Sequence, residues 1–185
     1  MTAAAPHRLM TADELFDLPD NGTLYELSRG TLICMSPSSY GPSQIAGAVI
    51  VRVGSFIEQN KLGEFGTAEG GFKLTASPDT VRAPDVWFVR AKRVPPGENR
   101  ERFYDGPPDL AIEILSPSDR FHHVMLKVRD YMEANTPLLW VLDPKSKITA
   151  VFRSGSPVRF VDIDGVLDGE DVLPGFTLPL RDVLR

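Results

Sequence analysis

One segment constrains this chain more than any other: Asp109-Leu-Ala-Ile-Glu-Ile-Leu115. In an extended strand, alternation puts Leu110, Ile112 and Ile114 on one face and Ala111, Glu113 and Leu115 on the other. Both faces are mostly apolar, the pattern of a central strand covered on each side. A carboxylate in the middle of such a strand is costly to bury unless it is paired or bound to a cation. Taken alone, Glu113 reads as half of a buried ion pair with an Arg or Lys.

A second acid widens that reading. Asp85 follows Pro84 at the start of Ala83-Pro-Asp-Val-Trp-Phe-Val89, a further apolar strand. By itself, Pro-Asp marks a turn at a strand edge. Two acids on neighbouring buried strands, however, suit a hard divalent cation, which prefers carboxylate oxygens. The helix expected from about Asp119 to Ala134 supplies a third group. Ser118 reads as its N-cap, and Asp119 suits the positive end of the helix dipole. Phe121, Val124, Met125, Val128 and Met132 form an apolar stripe with Tyr131 on one edge and Lys127 just outside it. From there Lys127 can bury its stem and bring its ammonium to the acids, although spacing alone favours a solvated flank lysine.

The remaining pattern mixes strands and helices. Thr11-Ala-Asp-Glu14 has the form of a capping box before a short helix. Leu24 to Leu27 and Thr31 to Met35 read as a hairpin, and Ser43 to Gln59 as a helix. Strands are expected near Phe65 to Thr67, Gly71 to Thr75, Ala83 to Val89 and Leu138 to Leu142. Lys147 to Phe152 and Val158 to Val161 look like a closing hairpin, and the apolar tail from Leu173 should pack on the body. The class is therefore α/β or α+β with a mixed central sheet. Arg90 to Gly106 reads as an exposed loop with one helical turn, in which Glu98 and Glu101 dilute five basic residues.

At 185 residues the chain fits one domain spanning 1–185. The single cysteine excludes an internal disulfide, and Cys34 reads as a small buried hydrophobe in a strand. Met1 to Met10 has no secretory pattern and no stretch suits a membrane span, so a cytoplasmic location and no membrane partner are expected. His7, His122 and His123 lack zinc-ligand spacing, and there is no phosphate-cradling glycine loop or Ser or Cys nucleophile motif. The net charge of −5 counts against strong non-specific nucleic-acid binding, without excluding a nuclease whose metal ligands are themselves acidic.

In order and spacing the chain resembles the large bacterial Uma-two family of endonuclease-like proteins, within the PD-(D/E)XK nuclease superfamily. The likeness runs through Tyr25-Glu-Leu-Ser-Arg-Gly-Thr-Leu32, Met35-Ser-Pro37, Ala83-Pro-Asp-Val86 and Pro108-Asp-Leu-Ala-Ile-Glu-Ile-Leu-Ser-Pro-Ser118. It continues through Lys127 to Tyr131, Leu139-Trp-Val-Leu-Asp-Pro144 and Leu173-Pro-Gly-Phe176. The resemblance implies a restriction-endonuclease-like mixed sheet flanked by helices. It assigns Asp85 and Glu113 as catalytic acids and metal ligands, Lys127 as the catalytic lysine, and Glu26 as an additional ligand or supporting group. The superfamily's lysine two residues after the second acid is here Leu115, and Lys127 on the next helix matches the displaced lysine. Family members often carry an aspartate four residues before it, where this chain has His123, which cannot do the same electrostatic work.

The implied activity is Mg²⁺- or Mn²⁺-dependent hydrolysis of nucleic-acid phosphodiesters, DNA foremost, and cutting both strands would favour a homodimer. The basic loop from Arg90 to Arg102 is the candidate backbone-tracking surface. Two alternatives stand beside this reading. One is a binding or scaffold protein with a decayed site on a nuclease fold, and the other an enzyme acting on a small phosphate ester.

Overall fold

The capping box at Thr11 forms in the computed structural model, which describes residues 8–97 and 100–184. The Thr11 hydroxyl accepts the Glu14 N–H, and the Glu14 carboxylate accepts the Thr11 N–H, opening α1 (Ala12–Phe16). The expectations for residues 1–7 and for Glu98 lie outside the described residues. Next, β1 (Tyr25–Ser28) and β2 (Thr31–Cys34) form the expected hairpin. Its two turn residues, Arg29 and Gly30, both have positive φ, 47° and 75°, as a two-residue hairpin turn requires. Cys34 is exposed rather than buried, because β2 is the outermost strand of its sheet.

Helix α2 (Tyr40–Asn60) starts three residues earlier than its apolar periodicity suggests. Pro42 falls in its first turn, where a missing N–H costs nothing. The chain then reverses at Gly63, whose φ is 154°; a Cβ there would lie 2.0 Å from the Val89 carbonyl oxygen. β3 (Gly63–Thr67) and β4 (Phe72–Thr75) follow.

The strand expected over Ala83 to Val89 begins only at β6 (Val86–Arg90), and the chain before it forms a strand that the pattern did not show, β5 (Thr80–Arg82), in the other sheet. Pro84 has no N–H to give to a ladder, so the chain leaves one sheet before it and joins the other after it. Asp85 consequently stands just ahead of β6, not within it. The expected loop contains one 3₁₀ turn, Ala91–Arg93, and a short strand that the pattern did not show, β7 (Tyr104–Asp105).

The remaining elements are β8 (Leu110–Ile114), α3 (Phe121–Glu133), β9 (Leu138–Asp143), β10 (Ile148–Phe152), β11 (Arg159–Val161), β12 (Val166–Asp168) and β13 (Thr177–Pro179). A six-stranded sheet runs β11-β10-β9-β8-β6-β3, and a five-stranded sheet runs β2-β1-β5-β4-β7. Both are mixed: β8 pairs β9 in parallel and β6 antiparallel, and β4 pairs β7 in parallel.

All five residues of β8 are buried, as expected of a central strand. Leu110, Ile112 and Ile114 face a core built with α2 (Val49, Val53, Ile57) and the tail (Leu173, Phe176, Leu180). Ala111 faces the other core, with Val128 and Tyr131 of α3 and Phe72 and Leu74 of β4. Glu113 therefore projects toward α3, on the side where the five-stranded sheet packs. Helix α3 departs from expectation at its start: its N-cap is Arg120, and Phe121 and Met125 are exposed. Ser118 instead meets the Ser116 hydroxyl, and Asp119 accepts the Ser116 N–H, within the turn that precedes the helix. The C-terminal half of α3 packs on the sheet, while His123, Val124 and Lys127 from its first half border a cavity.

Candidate functional site

Strand register brings the two acids together. In the antiparallel β6–β8 pair Val86 lies opposite Ile112, so the next position along each strand sets Asp85 against Glu113. Asp85 Oδ2 accepts the Ile114 N–H at 2.7 Å, continuing the ladder through a side chain. Lys127 reaches in from α3, its Nζ 2.9 Å from Glu113 Oε2 and 3.4 Å from Glu26 Oε1. Tyr131, one helical turn further on, donates its hydroxyl to Glu113 Oε1 at 2.8 Å. Asp85, Glu113 and Lys127 border one cavity of about 320 Å³, together with Tyr131 and His123. Glu26 lies behind it and borders a neighbouring cavity of about 300 Å³ that shares Asp85 and Lys127.

Glu26 is positioned differently from the other two acids. It is buried on β1, where Oε2 accepts Arg82 Nη1 at 2.7 Å and Oε1 accepts the Ala83 N–H at 3.1 Å. With Arg82, the Ala83 N–H and Lys127 around it, Glu26 has three partners, and it does not border the cavity that Asp85 and Glu113 share. Arg82, fully buried on β5, also binds Asp130 Oδ2, through Nη2 at 2.5 Å and Nε at 3.0 Å. The Ser28 hydroxyl and Arg129 complete the partners of Asp130. Arg82, Asp130 and the Tyr131 contact escaped the sequence reading. An arginine alternating with apolar residues in Thr80-Val-Arg82, and an aspartate three residues after Lys127, were the available signals.

The electrostatics follow from four carboxylates (Glu26, Asp85, Glu113, Asp130) set against three cations (Arg82, Lys127, Arg129). Burial pushes Glu113 up to about 7; the Asp85 and Glu26 charges add to this and Lys127 opposes it. Burial also raises Asp85, against the Ile114 N–H and Lys127. Burial works against a charged Lys127, but Glu113 and Glu26 outweigh it and raise its pKa, so the ammonium persists. For Glu26 the order reverses: burial would raise it, yet Lys127 and Arg82 hold it below its ordinary value. Burial and the Glu113 charge lift Tyr131 well above the usual phenol range, so it remains a donor. Glu113 and Asp85 are thus the acids whose negative charge is under-compensated.

That donor set fits some metals and not others. Among the described residues no three His, Cys, Asp or Glu side chains form a metal-holding group, which argues against a closed protein cage. Two carboxylates facing a cavity match Mg²⁺ or Mn²⁺, since Mg²⁺ in particular takes one or two carboxylates and completes its shell with water and substrate phosphates. Asp85 and Glu113 fit that description.

A comparison of the sequence with protein families matches residues 12–181 to the family described as "Uma2: Putative restriction endonuclease". The chain belongs to the Uma2 family. A solved structure, "Crystal structure of a putative nuclease belonging to DUF820 from Anabaena variabilis ATCC 29413", is similar to this Uma2 chain with a TM-score of 0.84. The two share 21% identity over 95% of this chain and 97% of that one, which establishes the common fold. Comparison with curated proteins gives no match. The family's description supports a nuclease.

Two expectations about the surroundings change in the Uma2 fold. The arginines of the Arg90–Arg102 loop are committed to internal pairs: Arg90 and Arg93 with Asp109, Arg100 with Glu64, and Arg102 with Asp13. Arg90 and Arg93 are the more firmly held, on a buried carboxylate, whereas the Arg100 and Arg102 pairs are exposed. The lysine also has its own carboxylate cradle, so an aspartate in place of His123 is not needed to hold it. A larger cavity, about 660 Å³, lies beside the acids rather than around them and shares Leu115, Ser116 and Asp119 with theirs. Asp85, Glu113 and Lys127 line the smaller cavity and not the larger. No helix among the described residues is long and apolar enough to cross a membrane.

Proposed function

We propose that this Uma2 protein is a metal-dependent endonuclease that hydrolyses phosphodiester bonds in DNA, with residues 1–185 acting as one domain. The observation that carries this reading is the meeting of Asp85 and Glu113 from paired strands with the Lys127 ammonium at 2.9 Å, in one cavity. Asp85 and Glu113 would hold a Mg²⁺ or Mn²⁺ ion, which, when bound, polarises a phosphate and acidifies a coordinated water. Lys127, kept charged by two carboxylates, stabilises negative charge on the phosphoryl oxygens and helps orient the attacking water; it is not poised as a base. Glu26 fixes Lys127, and Arg82 fixes Glu26. Tyr131 sets the orientation of Glu113. Cutting both strands of a duplex would call on two copies related by two-fold symmetry.

The test is a plasmid-cleavage assay with Mg²⁺ and Mn²⁺ on wild type and Lys127→Ala, joined to a Mn²⁺ titration of wild type and Asp85→Ala. Wild type should cut and bind Mn²⁺, Lys127→Ala should stay folded without cutting, and Asp85→Ala should lose the ion. Equal cleavage by wild type and Lys127→Ala would remove Lys127 from the mechanism. Mn²⁺ binding by neither protein would leave a scaffold on a nuclease fold.

A further inference from the structure

The loop that looked basic in sequence has its arginines in ion pairs, which raises the question of what else could hold a substrate strand. The 660 Å³ cavity offers an answer; its size falls within the roughly 300–1,000 Å³ of ligand-binding pockets. One wall is a single face of α2: Gly41, Gln44, Ile45, Ala48 and Arg52 recur at helical spacing. From Gly41 to Arg52 that face extends about 16 Å at the rise of an α-helix. The opposite wall is the β8–α3 turn, Leu115 to Asp119, the same turn that closes the cavity of the acids. The two cavities share Leu115, Ser116 and Asp119, so the larger one adjoins the cavity that Asp85 and Glu113 border.

The larger cavity carries charges of both signs. Arg52 and Lys145 both line it, and neither has a carboxylate partner within ion-pair distance among the described residues; Arg52 Nη1 donates only to the Ala48 carbonyl. Three carboxylates also border the cavity. Asp119 accepts the Ser116 N–H at 2.7 Å, and Asp143 accepts the Lys145 N–H at 2.9 Å and the Ser146 hydroxyl at 2.7 Å, so both are engaged within their own turns. Asp182 is exposed. Cations without a carboxylate partner, in a cavity adjoining the proposed catalytic one, suit a flanking phosphodiester backbone.

We propose that this cavity seats the nucleic-acid strand on one side of the scissile bond, with Arg52 and Lys145 as its phosphate contacts. The inference rests on the nuclease reading and deepens it, by locating where the strand runs. Apolar residues between the two cations, Ile45 and Ala48 of α2 and Pro144 opposite, give the sugars and bases a surface to lie on.

The experiment is a salt titration of binding, using the full-length protein, Ca²⁺ in place of Mg²⁺, and a short fluorescein-labelled duplex DNA. Each phosphate contact adds slightly less than one to the slope of log affinity against log salt. Arg52→Ala/Lys145→Ala should weaken binding about tenfold and lower that slope by about one to two. Mn²⁺ affinity should be unchanged, and the exchange Arg52→Lys/Lys145→Arg should restore the slope, which a general folding defect would not allow. Arg102→Ala, in the loop whose arginines are already paired, should leave the slope as it is. Wild-type slope and affinity in the double alanine variant, with wild-type cleavage intact, would overturn the cavity assignment and leave the nuclease reading standing. Wild type that neither binds nor cuts DNA would overturn both.

Discussion

Without a bound cation, Glu113→Gln removes a carboxylate that the fold prefers to keep protonated. Burial, chiefly, lifts Glu113 from an ordinary 4.5 to about 7. Because the folded pKa lies above that of the unfolded chain, the folded protein binds the proton more tightly between these values. The resulting stability is fully present below 4.5 and is lost as the pH rises through 7. At roughly 1.4 kcal/mol per pKa unit, that gap amounts to about 3 kcal/mol. Glutamine resembles the neutral acid in shape and cannot ionise, so the variant should lack this contribution to the pH dependence. Urea unfolding in chelator at pH 4.5 and pH 8 gives the difference between wild type and variant at each pH. That difference should shift by about 3 kcal/mol in favour of Glu113→Gln at the higher pH. A difference independent of pH would mean that Lys127 already compensates the Glu113 charge in full. The surplus negative charge invoked for cation binding would then be absent.

Arg82→Ala strips Glu26 and Asp130 of a shared buried partner and should cost about 3–5 kcal/mol in urea unfolding. The lower end is expected, since Lys127 and Arg129 remain as partners; a loss under about 1 kcal/mol would show the network to be incidental. Tyr131→Phe keeps the ring and deletes only the hydroxyl bond to Glu113. Thermal unfolding should register a loss of about 1–3 kcal/mol, and Mn²⁺ affinity should fall with it, whereas unchanged affinity would deny Tyr131 a hold on Glu113. His123→Asp places a carboxylate one helical turn before a lysine that already has two. Stability should rise by no more than about 0.5 kcal/mol, with cleavage little altered; a large gain in rate would show that His123 limits the site.

Much of this protein was legible from local pattern. Alternation in Leu110 to Leu115 identified a doubly covered strand and placed Glu113 on the face opposite Ile112, and the cores on either side of β8 agree. Helical spacing set Lys127 just outside the apolar stripe of α3, where spacing alone favoured a solvated lysine; the fold brings it to the acids instead. Periodicities of two and 3.6 residues report which side of an element faces inward, and that is a local property. The same information missed the strand at Thr80 to Arg82 and started the next one at Ala83 rather than Val86, because Pro84 breaks the ladder between them. It also failed at Cys34, since alternation does not say whether a strand is an edge.

What only tertiary structure decided is partnership. The β6–β8 register sets Asp85 against Glu113, and the docking of the five-stranded sheet brings Glu26 and Arg82 to the same lysine. The loop arginines are neutralised by Asp109, Glu64 and Asp13, residues distant or unremarkable in the chain, while Arg52 and Lys145 stay unpaired. A residue's chemical capacity is written in its side chain. Whether that capacity is spent on a neighbour or left for a ligand depends on distances between segments far apart in sequence, which only packing determines.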